Sequence, residues 1–339
     1  MKRFRLCLAI PVAAFALLAA IIVDAPPTSL ARSADLGGCP MYPPNNVWNA
    51  RVDHLPVHPN SANYIATLGP SHGVHPDFGS GWWDGYPIGM FYTTIYSPTP
   101  SIPVNYHWYG NESDPGPMPI PPDAPIEGGN WMTNTGDRHV LVVNTFDCKL
   151  YELYHAFSDG SDWDAGSGAI FDLTRNAPLR PDSWTSADAA GLPILPGLAR
   201  YAEVANGVIE HALRFTTNCT SGNVWPARHE APHGVCLNPP PMGLRVRLKS
   251  SFAINPAWSP QTKVILTALK KYGLILADNG SRWYISGTHE AGWDDDALVP
   301  QLAQVKGSDF EVVDTSLLML DYHSWSAAVF RLSLPSIMR

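Results

Sequence analysis

The chain has 339 residues, of which 15% are charged and 11% are aromatic, and its formal net charge is −8 at pH 7. An acidic surface repels phosphate backbones and anionic lipid headgroups, so this composition argues against a nucleic-acid-binding or membrane-surface protein. The 33 prolines and 12 tryptophans are typical of a loop-rich extracellular domain rather than a cytosolic helical one.

Residues 1–33 resemble a secretory signal peptide. Lys2, Arg3 and Arg5 precede an apolar run from Leu6 to Val23, and small residues stand at −3 and −1 of a cleavage site after Ser33. An uncleaved membrane anchor is the alternative, because this apolar run is near the length that crosses a bilayer. Cleavage would remove four basic residues and one acidic residue, which changes the formal charge from −8 to −11. We therefore predict a secreted, extracellular protein with no membrane partner after cleavage.

Four cysteines remain after cleavage: Cys39, Cys148, Cys219 and Cys236. An even number of cysteines in an exported chain predicts two disulfides. Cys219 and Cys236 bracket one short excursion of the chain and are expected to pair locally, which leaves Cys39 for Cys148. Two other connectivities are possible, and a zinc site is the rival use of these thiols. Because the chain has no CxxC pair, we predict no zinc site and no cofactor. Asp159, Asp162 and Asp164 could offer oxygen ligands to calcium, with a solvated loop as the alternative.

Residues 34–125 are rich in proline, glycine and aromatic residues and are predicted to form an arm and loops packed on the core. A short helix is expected at 61–67, and strands are expected at 91–99 and 102–110. Between 114 and 123, six of ten residues are proline or glycine. That stretch is the best candidate for a domain boundary.

Residues 126–315 are predicted to form the β-rich core, and a hairpin opens it. Segments 138–144 (RHVLVVN) and 149–157 (KLYELYHAF) flank a four-residue turn, as in a β-hairpin. On the second strand Leu150, Glu152 and Tyr154 share one face. Glu152 is therefore expected among apolar neighbours, where an ionised carboxylate needs a partner.

The stretch from 185 to 229 places polar side chains in segments that otherwise look buried: Asp188, His211, Arg214, Arg228 and His229. The segment 208–216 is predicted to be a strand with His211 and Arg214 on opposite faces. Asp188 is a candidate helix cap. No simple apolar period explains these charges, so this stretch is the best candidate for a functional cleft.

The C-terminal part predicts one strong helix. Pro260 suits its first turn and Gly273 its end, with an apolar face between them. Two strands are expected within 274–287, followed by a short helix capped by Asp294 and a last strand at 309–314. Residues 316–339 are predicted to be a tail. Because strands outnumber helices, we predict a mainly β fold of the α+β class, with an antiparallel β-sandwich or jelly roll and peripheral helices.

Several long motifs resemble a family of secreted bacterial β-rich proteins to which no activity is attached: CPMYPPNNVWN, TSADAAGLPILPGLARYAEV, HALRFT, WPARH, MGLRVRLK and ALKKYGLILADNGSRWYISG. The resemblance covers nearly all of residues 39–315. It implies a shared fold and export, and it transfers no catalytic residue.

A glycoside hydrolase is the first functional hypothesis. It needs two carboxyls, about 5 Å apart for retention or about 6.5–9.5 Å apart for inversion. Glu152 is the first candidate, and Asp188 or Asp278 is the second. Such a site also needs aromatic side chains that stack on sugar rings. The preferred substrate-binding residues are Trp83, Trp131, Trp225 and Trp283, and Trp82 and Trp108 are further candidates. Structural roles for the carboxylates, as ion-pair partners, caps or turn residues, remain the alternative.

A polysaccharide lyase is the second enzymatic hypothesis. It needs a base beside a uronate carboxylate and a cation that stabilises the developing charge. His211 and His229 supply the first residue type, and Arg214 and Arg228 supply the second. The alternative is that Arg228 binds a carboxylate or backbone carbonyls while His229 packs in the core.

The sequence thus predicts a secreted protein that degrades or binds a polysaccharide, and it favours an enzyme. Hydrolase and lyase are not separated. A lectin-like binding protein would use the same tryptophans without a paired acid and base, and an inert extracellular module would disperse its polar residues. The distinguishing observation is whether the polar side chains of the core meet in one open cavity.

Overall fold

Short strands of alternating polarity dominate this fold. The structure is a computed structural model that describes residues 35–96, 99–129 and 136–328. The predicted signal peptide, Trp131 and the last part of the predicted tail lie outside these residues. Among the described residues, no helix combines the length and apolarity needed to cross a membrane.

Helices are short and few in the described ranges. The α-helices are α1 (Ser61–Leu68), α2 (Tyr201–Ala205), α3 (Pro260–Lys271) and α4 (Asp295–Leu302). Single 3-10 turns occur at Gly110–Glu112, Leu195–Gly197 and Gly307–Asp309. Helix α3 begins as predicted, because the Ser259 side chain accepts a hydrogen bond from the Thr262 amide and Pro260 occupies the first turn.

Strands occupy more of the described chain than helices do. In chain order they are β1 (Asp35–Leu36), β2 (Cys39–Pro40), β3 (His75–Asp77), β4 (Trp82–Trp83), β5 (Tyr86–Pro87), β6 (Thr93–Ile95), β7 (Val104–Tyr106), β8 (Val140–Asn144), β9 (Lys149–Tyr154), β10 (Phe157–Ser158), β11 (Trp163–Ala165), β12 (Ser167–Asp172), β13 (Leu213–Thr217), β14 (Arg245–Leu248), β15 (Leu274–Asn279), β16 (Tyr284–Ser286) and β17 (Phe310–Val312). The predicted β-rich fold of the α+β class is confirmed.

One sheet has four strands in the order β12-β9-β8-β6. The predicted hairpin is its β8–β9 pair, and β6 joins β8 in parallel. Side chains alternate across β8: Leu141 and Val143 enter the main core, while Val140 and Val142 enter a smaller core on the opposite face. This sheet is therefore buried on both sides.

The larger sheet has six strands in the order β17-β14-β15-β13-β16-β3. Its central strand β13 runs parallel to β15 and antiparallel to β16. Both sheets contain parallel pairs, so they are mixed rather than purely antiparallel. The main core contains side chains from both sheets, and the sandwich or jelly-roll arrangement stays a prediction.

Segment 34–125 contributes strands to both sheets. Strand β3 pairs with β16 at one edge of the six-stranded sheet, and β6 closes the edge of the four-stranded sheet. The boundaries at 125 and 316 stay predictions.

Both predicted disulfides are confirmed. Cys219 pairs with Cys236, which closes the local excursion. Cys39 pairs with Cys148 across 109 residues and ties the N-terminal arm to the turn of the β8–β9 hairpin.

Candidate functional site

A polar cavity of about 280 Å³ lies beside the loop 185–189 and the end of β15. Its volume is at the lower end of the range of small-molecule sites. The lining residues are Tyr109, Asp137, Tyr154, Ser167, Thr185, Ser186, Ala187, Asp188, Ala189, His229, Ala231, Asp278 and Asn279. Three aspartates and two tyrosines thus surround one space.

Arg214 joins two of these aspartates. Its Nη2 atom lies 3.1 Å from Asp188 Oδ2 and 3.2 Å from Asp278 Oδ2. Its Nε atom also donates to Asp188 Oδ2, and its Nη1 atom donates to Ser286 Oγ at 2.8 Å. Because the two carboxylates contact the same nitrogen, their Oδ2 atoms can be no farther apart than the sum of the two contact distances.

The six-stranded sheet brings this trio together. Strand β13 carries Arg214, and its parallel neighbour β15 carries Asp278 opposite Thr216, two residues along from Arg214. Ser286 ends β16 on the other side of β13. Asp188 reaches the same guanidinium from the loop rather than from the sheet.

Hydrogen bonds within the loop hold Asp188 in place. The Ser186 hydroxyl accepts a hydrogen bond from the Asp188 amide at 2.9 Å and lies 2.7 Å from the Leu192 carbonyl oxygen, to which it can donate. Asp188 Oδ1 accepts from the Ala190 amide at 3.3 Å. The side chain of Asp188 is completely buried, whereas that of Asp278 is 23% exposed.

The two carboxyls titrate near neutrality. Burial raises the pKa of Asp188 to about 6, although the nearby Arg214 charge opposes the shift. Burial, together with the negative charge of Asp188, raises the pKa of Asp278 to about 7, again against Arg214. Since the two groups interact, they behave as one pair that can keep or release a proton near pH 7. That is the property that general acid–base catalysis requires.

A second ion pair lies behind the cavity wall. His139 Nδ1 is 2.6 Å from Glu127 Oε2, and His139 Nε2 lies 3.0 Å from the carbonyl oxygen of Ala187. Burial disfavours the imidazolium, but the charge and hydrogen bond of Glu127 outweigh it and raise the pKa of His139 to about 9. His139 is therefore a cation at neutral pH; its Nδ1–H donates to Glu127, and its Nε2–H donates to the Ala187 carbonyl and holds the backbone immediately before Asp188.

These pKa values predict how stability depends on pH. Asp188, Asp278 and His139 all have folded-state pKa values above their ordinary values of about 4 and 6.5, so the folded protein binds these protons more tightly. These groups therefore add to the free energy of unfolding at low pH. The two aspartates lose this contribution as the pH rises from about 4 to 7, and His139 loses it from about 6.5 to 9. Burial disfavours the carboxylate of Glu203, but Arg200 and His211 outweigh it and lower its pKa to about 2, so its contribution is lost as pH falls from about 4.5 to 2.

We therefore expect maximal stability at roughly pH 4–6 and a decline toward pH 9. Urea unfolding midpoints measured from pH 3 to 9 test this. In the double variant Glu127→Gln/His139→Gln, which leaves neither charge unpartnered, the decline above pH 6.5 should become shallower. Stability that increases steadily up to pH 9 would contradict the assignment.

Glu152, the first predicted catalytic carboxyl, does not line the cavity. Its side chain is completely buried, and its oxygens accept hydrogen bonds from the Ile194 and Leu195 amides at 2.9–3.0 Å. It faces the core as predicted, but backbone N–H groups rather than an arginine bind it. Glu152 therefore holds the loop that leads into the 3-10 turn at 195–197.

Two further predicted residues lie in other contacts. His211 precedes β13, and its Nε2 atom is 3.0 Å from the carboxylate of Glu203. Arg228 pairs with Asp182 and donates to the carbonyls of Arg180 and Tyr322. Neither His211 nor Arg228 is among the residues that line the cavity, so the predicted convergence of five polar groups does not occur.

His229 does line the cavity. Its Nδ1 atom lies 2.7 Å from the carbonyl oxygen of Ala189, and its Nε2 atom lies 3.7 Å from a carboxylate oxygen of Glu112. Of the six predicted catalytic residues, the structure thus brings together Asp188, Arg214 and His229.

The tryptophans predicted to bind sugar differ in their solvent exposure. Trp225 and Trp283 are 5% and 1% exposed and pack in the core, which leaves no open ring face for a sugar in this structure. Trp83 is 77% exposed, but it lies on the short β4–β5 hairpin and not in the cavity lining. Trp108, by contrast, is 52% exposed, and its ring centroid lies 5.8 Å from that of Tyr154, a cavity residue.

Asp137, Tyr109, Tyr154 and the Glu127–His139 pair were not among the residues predicted for the site. The alternation along β9 did place Tyr154 on the face of Glu152, which was the available signal. Asp137 lies three residues before the start of β8 in a polar stretch, and no local pattern distinguishes it from a turn residue. Among the residues that the structure describes, no group of three or more histidine, cysteine or acidic side chains is arranged to hold a metal ion.

No family model, curated protein or solved structure matches this chain. The resemblance to secreted bacterial proteins stays a prediction.

Proposed function

We propose that this protein is a secreted carbohydrate-active enzyme that hydrolyses glycosidic bonds, with Asp188 and Asp278 as its two carboxyls. The observation that carries the proposal is their arrangement: both contact one nitrogen of Arg214 at the wall of a cavity that aromatic rings flank. Two disulfides are consistent with export, because such bonds persist in oxidising compartments.

Their environments suggest different roles for the two carboxyls. Asp278 is the more exposed group and has the higher pKa, so it is suited to donate a proton to the leaving glycosidic oxygen. Asp188 accepts one hydrogen bond from Arg214 Nε and one from the Ala190 amide and forms an ion pair with Arg214 Nη2, and these contacts favour its ionised form.

The separation favours a retaining mechanism. Retaining enzymes place their carboxyls about 5–5.5 Å apart, and inverting enzymes place them about 6.5–9.5 Å apart. The contacts of 3.1 Å and 3.2 Å to the shared nitrogen keep the two Oδ2 atoms closer together than the inverting range requires. The side chain of Asp188 is completely buried in the free protein, so sugar binding would have to expose it; Asp188 would then attack the anomeric carbon as Asp278 protonates the leaving oxygen. Water would then cleave the glycosyl–Asp188 bond as Asp278 takes up its proton.

Two features support a hydrolase over a uronate lyase. A lyase needs a cation free to bind the uronate carboxylate, but the described contacts of Arg214 and Arg228 already include carboxylates. The cavity also carries three aspartates, which repel an acidic polymer. Tyr109, Tyr154 and the neighbouring Trp108 provide the aromatic surface on which sugar rings stack.

The test is cleavage of a panel of polysaccharides, with release of reducing ends as the readout. Asp278→Asn and Asp188→Asn should each lower the rate by about 100-fold to 10,000-fold, the usual contribution of a positioned acid or base. Asp296→Asn, on the exposed face of α4, is the matched control and should leave the rate unchanged. Thermal unfolding of each variant separates loss of chemistry from loss of fold.

Three outcomes would contradict the proposal. If no polymer is cut but one is retained on a column, the protein is a lectin-like binder. If polymers are neither cut nor retained, it is an extracellular structural module. If both asparagine variants are folded and fully active, the chemistry lies elsewhere.

A further inference from the structure

Asp137 differs from the other two aspartates of the cavity. Arg214 binds both Asp188 and Asp278, whereas the carboxylate of Asp137 has no ion pair or side-chain hydrogen bond within the described residues. Its backbone is nonetheless fixed, because its carbonyl accepts a hydrogen bond from the His155 amide at 2.8 Å. Asp137 is therefore an exposed carboxylate on a fixed backbone at the cavity wall, with no direct ion pair among the described residues, and its charge also acts on the His139 imidazolium.

The rest of the lining offers little to neutralise that charge. Among the described residues that line the cavity none is lysine or arginine, and the one basic side chain is His229. The Nε2 atom of His229 lies 3.7 Å from the Glu112 carboxylate, so a further acidic group adjoins the cavity. A neutral sugar would leave the charge of Asp137 unmatched, and an acidic sugar would be repelled.

Two tyrosines stand in the same cavity. Tyr109 and Tyr154 both line it, and the face of a tyrosine ring attracts a cation. An ammonium group has three donors and no acceptor, so a carboxylate together with aromatic faces is a fitting environment for it. The cavity thus combines a carboxylate that forms no direct ion pair in the described residues with two tyrosine rings, beside the proposed catalytic pair; the Tyr154 ring also lies 5.6 Å from the His139 ring.

We infer that the substrate is a saccharide with free amino groups, and that Asp137 is the specificity-determining residue that binds its ammonium. The inference rests on the proposed hydrolase function. It adds the substrate class and gives Asp137 a role that is distinct from the chemistry of Asp188 and Asp278. Asp137 would form a charge-assisted hydrogen bond with the ammonium, while the amine-bearing ring lies against a tyrosine face.

The experiment compares three sets of oligosaccharides of equal length: glucosamine oligomers, N-acetylglucosamine oligomers and glucose oligomers. Binding is measured by calorimetry and cleavage by reducing ends, at about pH 5.5, where amines are protonated. The wild-type protein should prefer the glucosamine oligomers by about 10-fold or more, in Kd or in kcat/KM, as one hydrogen bond to a charged group provides. Higher salt should reduce the preference.

The variants test the residue itself. Asp137→Asn should bring the ratio of amine to neutral substrate close to one, and Asp137→Glu, which keeps the charge, should retain part of it. Asp296→Asn is again the control and should keep the wild-type ratio. Because a ratio between substrates is measured, a general loss of stability or rate does not imitate the result.

Failure of this inference can be distinguished from failure of the proposed function. If neutral oligomers are cleaved through Asp188 and Asp278 but amino groups give no preference, the substrate class is wrong and the hydrolase stands. If glucosamine oligomers bind through Asp137 but nothing is cleaved, the proposed binding of amino sugars is supported and the proposed hydrolase activity is contradicted. Equal binding of all three sets, binding of none, or a full preference in Asp137→Asn overturns the inference.

Discussion

Replacing Arg214 with methionine should destabilise the protein by about 3–5 kcal/mol at pH 7, the typical cost of removing one partner from a buried ion pair. Arg214 is 2% exposed, and it faces a completely buried Asp188 and a largely buried Asp278. Without the guanidinium, both carboxylates lose their cation and Ser286 loses a donor. Urea unfolding at pH 7 measures the loss.

The control is Arg175→Met, because Arg175 forms an exposed ion pair with Asp172 and should change the free energy of unfolding by at most about 1 kcal/mol. The defect of Arg214→Met should shrink as the pH falls toward about 4, where both carboxyls are protonated in the folded state. Adding Asp188→Asn and Asp278→Asn should recover part of the loss. A defect below about 1 kcal/mol, or one independent of pH, would show that Arg214 does not hold the pair together.

Local signals in the sequence were sufficient to predict the β8–β9 hairpin and helix α3. The two strand-like segments on either side of the turn at 145–148 predicted the β8–β9 hairpin, and the cap and stop residues around 260–273 predicted α3. Both depend on neighbours within a few residues, so period and capping chemistry suffice. The same reasoning placed Glu152 correctly toward the core.

The partners of the site could not be predicted in this way. Arg214 and Asp278 are far apart along the chain, and they meet because β13 pairs in parallel with β15. The pairing of β13 with β16 on its other side brings Ser286 to the same arginine. Strand order of this kind leaves no local pattern. The sequence therefore indicated which charges were buried, including Asp188 and Arg214, but not which of them would touch.

Composition was an equally poor guide to exposure. Trp283 and Trp108 are the same residue type in aromatic surroundings, yet one is 1% exposed and the other is 52% exposed. Trp283 donates its indole N–H to the Gly69 carbonyl and packs against Phe215 in the core. A tryptophan serves as a platform only if the fold leaves one ring face open, and that depends on segments distant in the sequence.

For the four cysteines, spacing alone pointed to the observed pairing. Removing one of these disulfides is the second change from which we expect a large loss of stability. Replacing Cys39 and Cys148 with alanine should lower the free energy of unfolding by about 4.7 kcal/mol, the chain-entropy value for a loop of about 100 residues. The loop that this bond closes spans 109 residues and includes the N-terminal arm, β3 and β6. Reversible urea unfolding of the double variant measures the change.

The other disulfide is the matched control. Cys219→Ala/Cys236→Ala opens a loop of 17 residues and should cost only about 3 kcal/mol, because the entropy of the unfolded chain depends on the length of the loop. Cys39 and Cys219 are both buried, so the packing losses at these two positions are comparable. Neither bond lines the cavity, and each variant should therefore keep its cleavage activity at temperatures where it is folded. An equal or larger loss for the short loop would mean that contacts in the folded state, rather than constraint of the unfolded chain, give these bonds their stabilising effect.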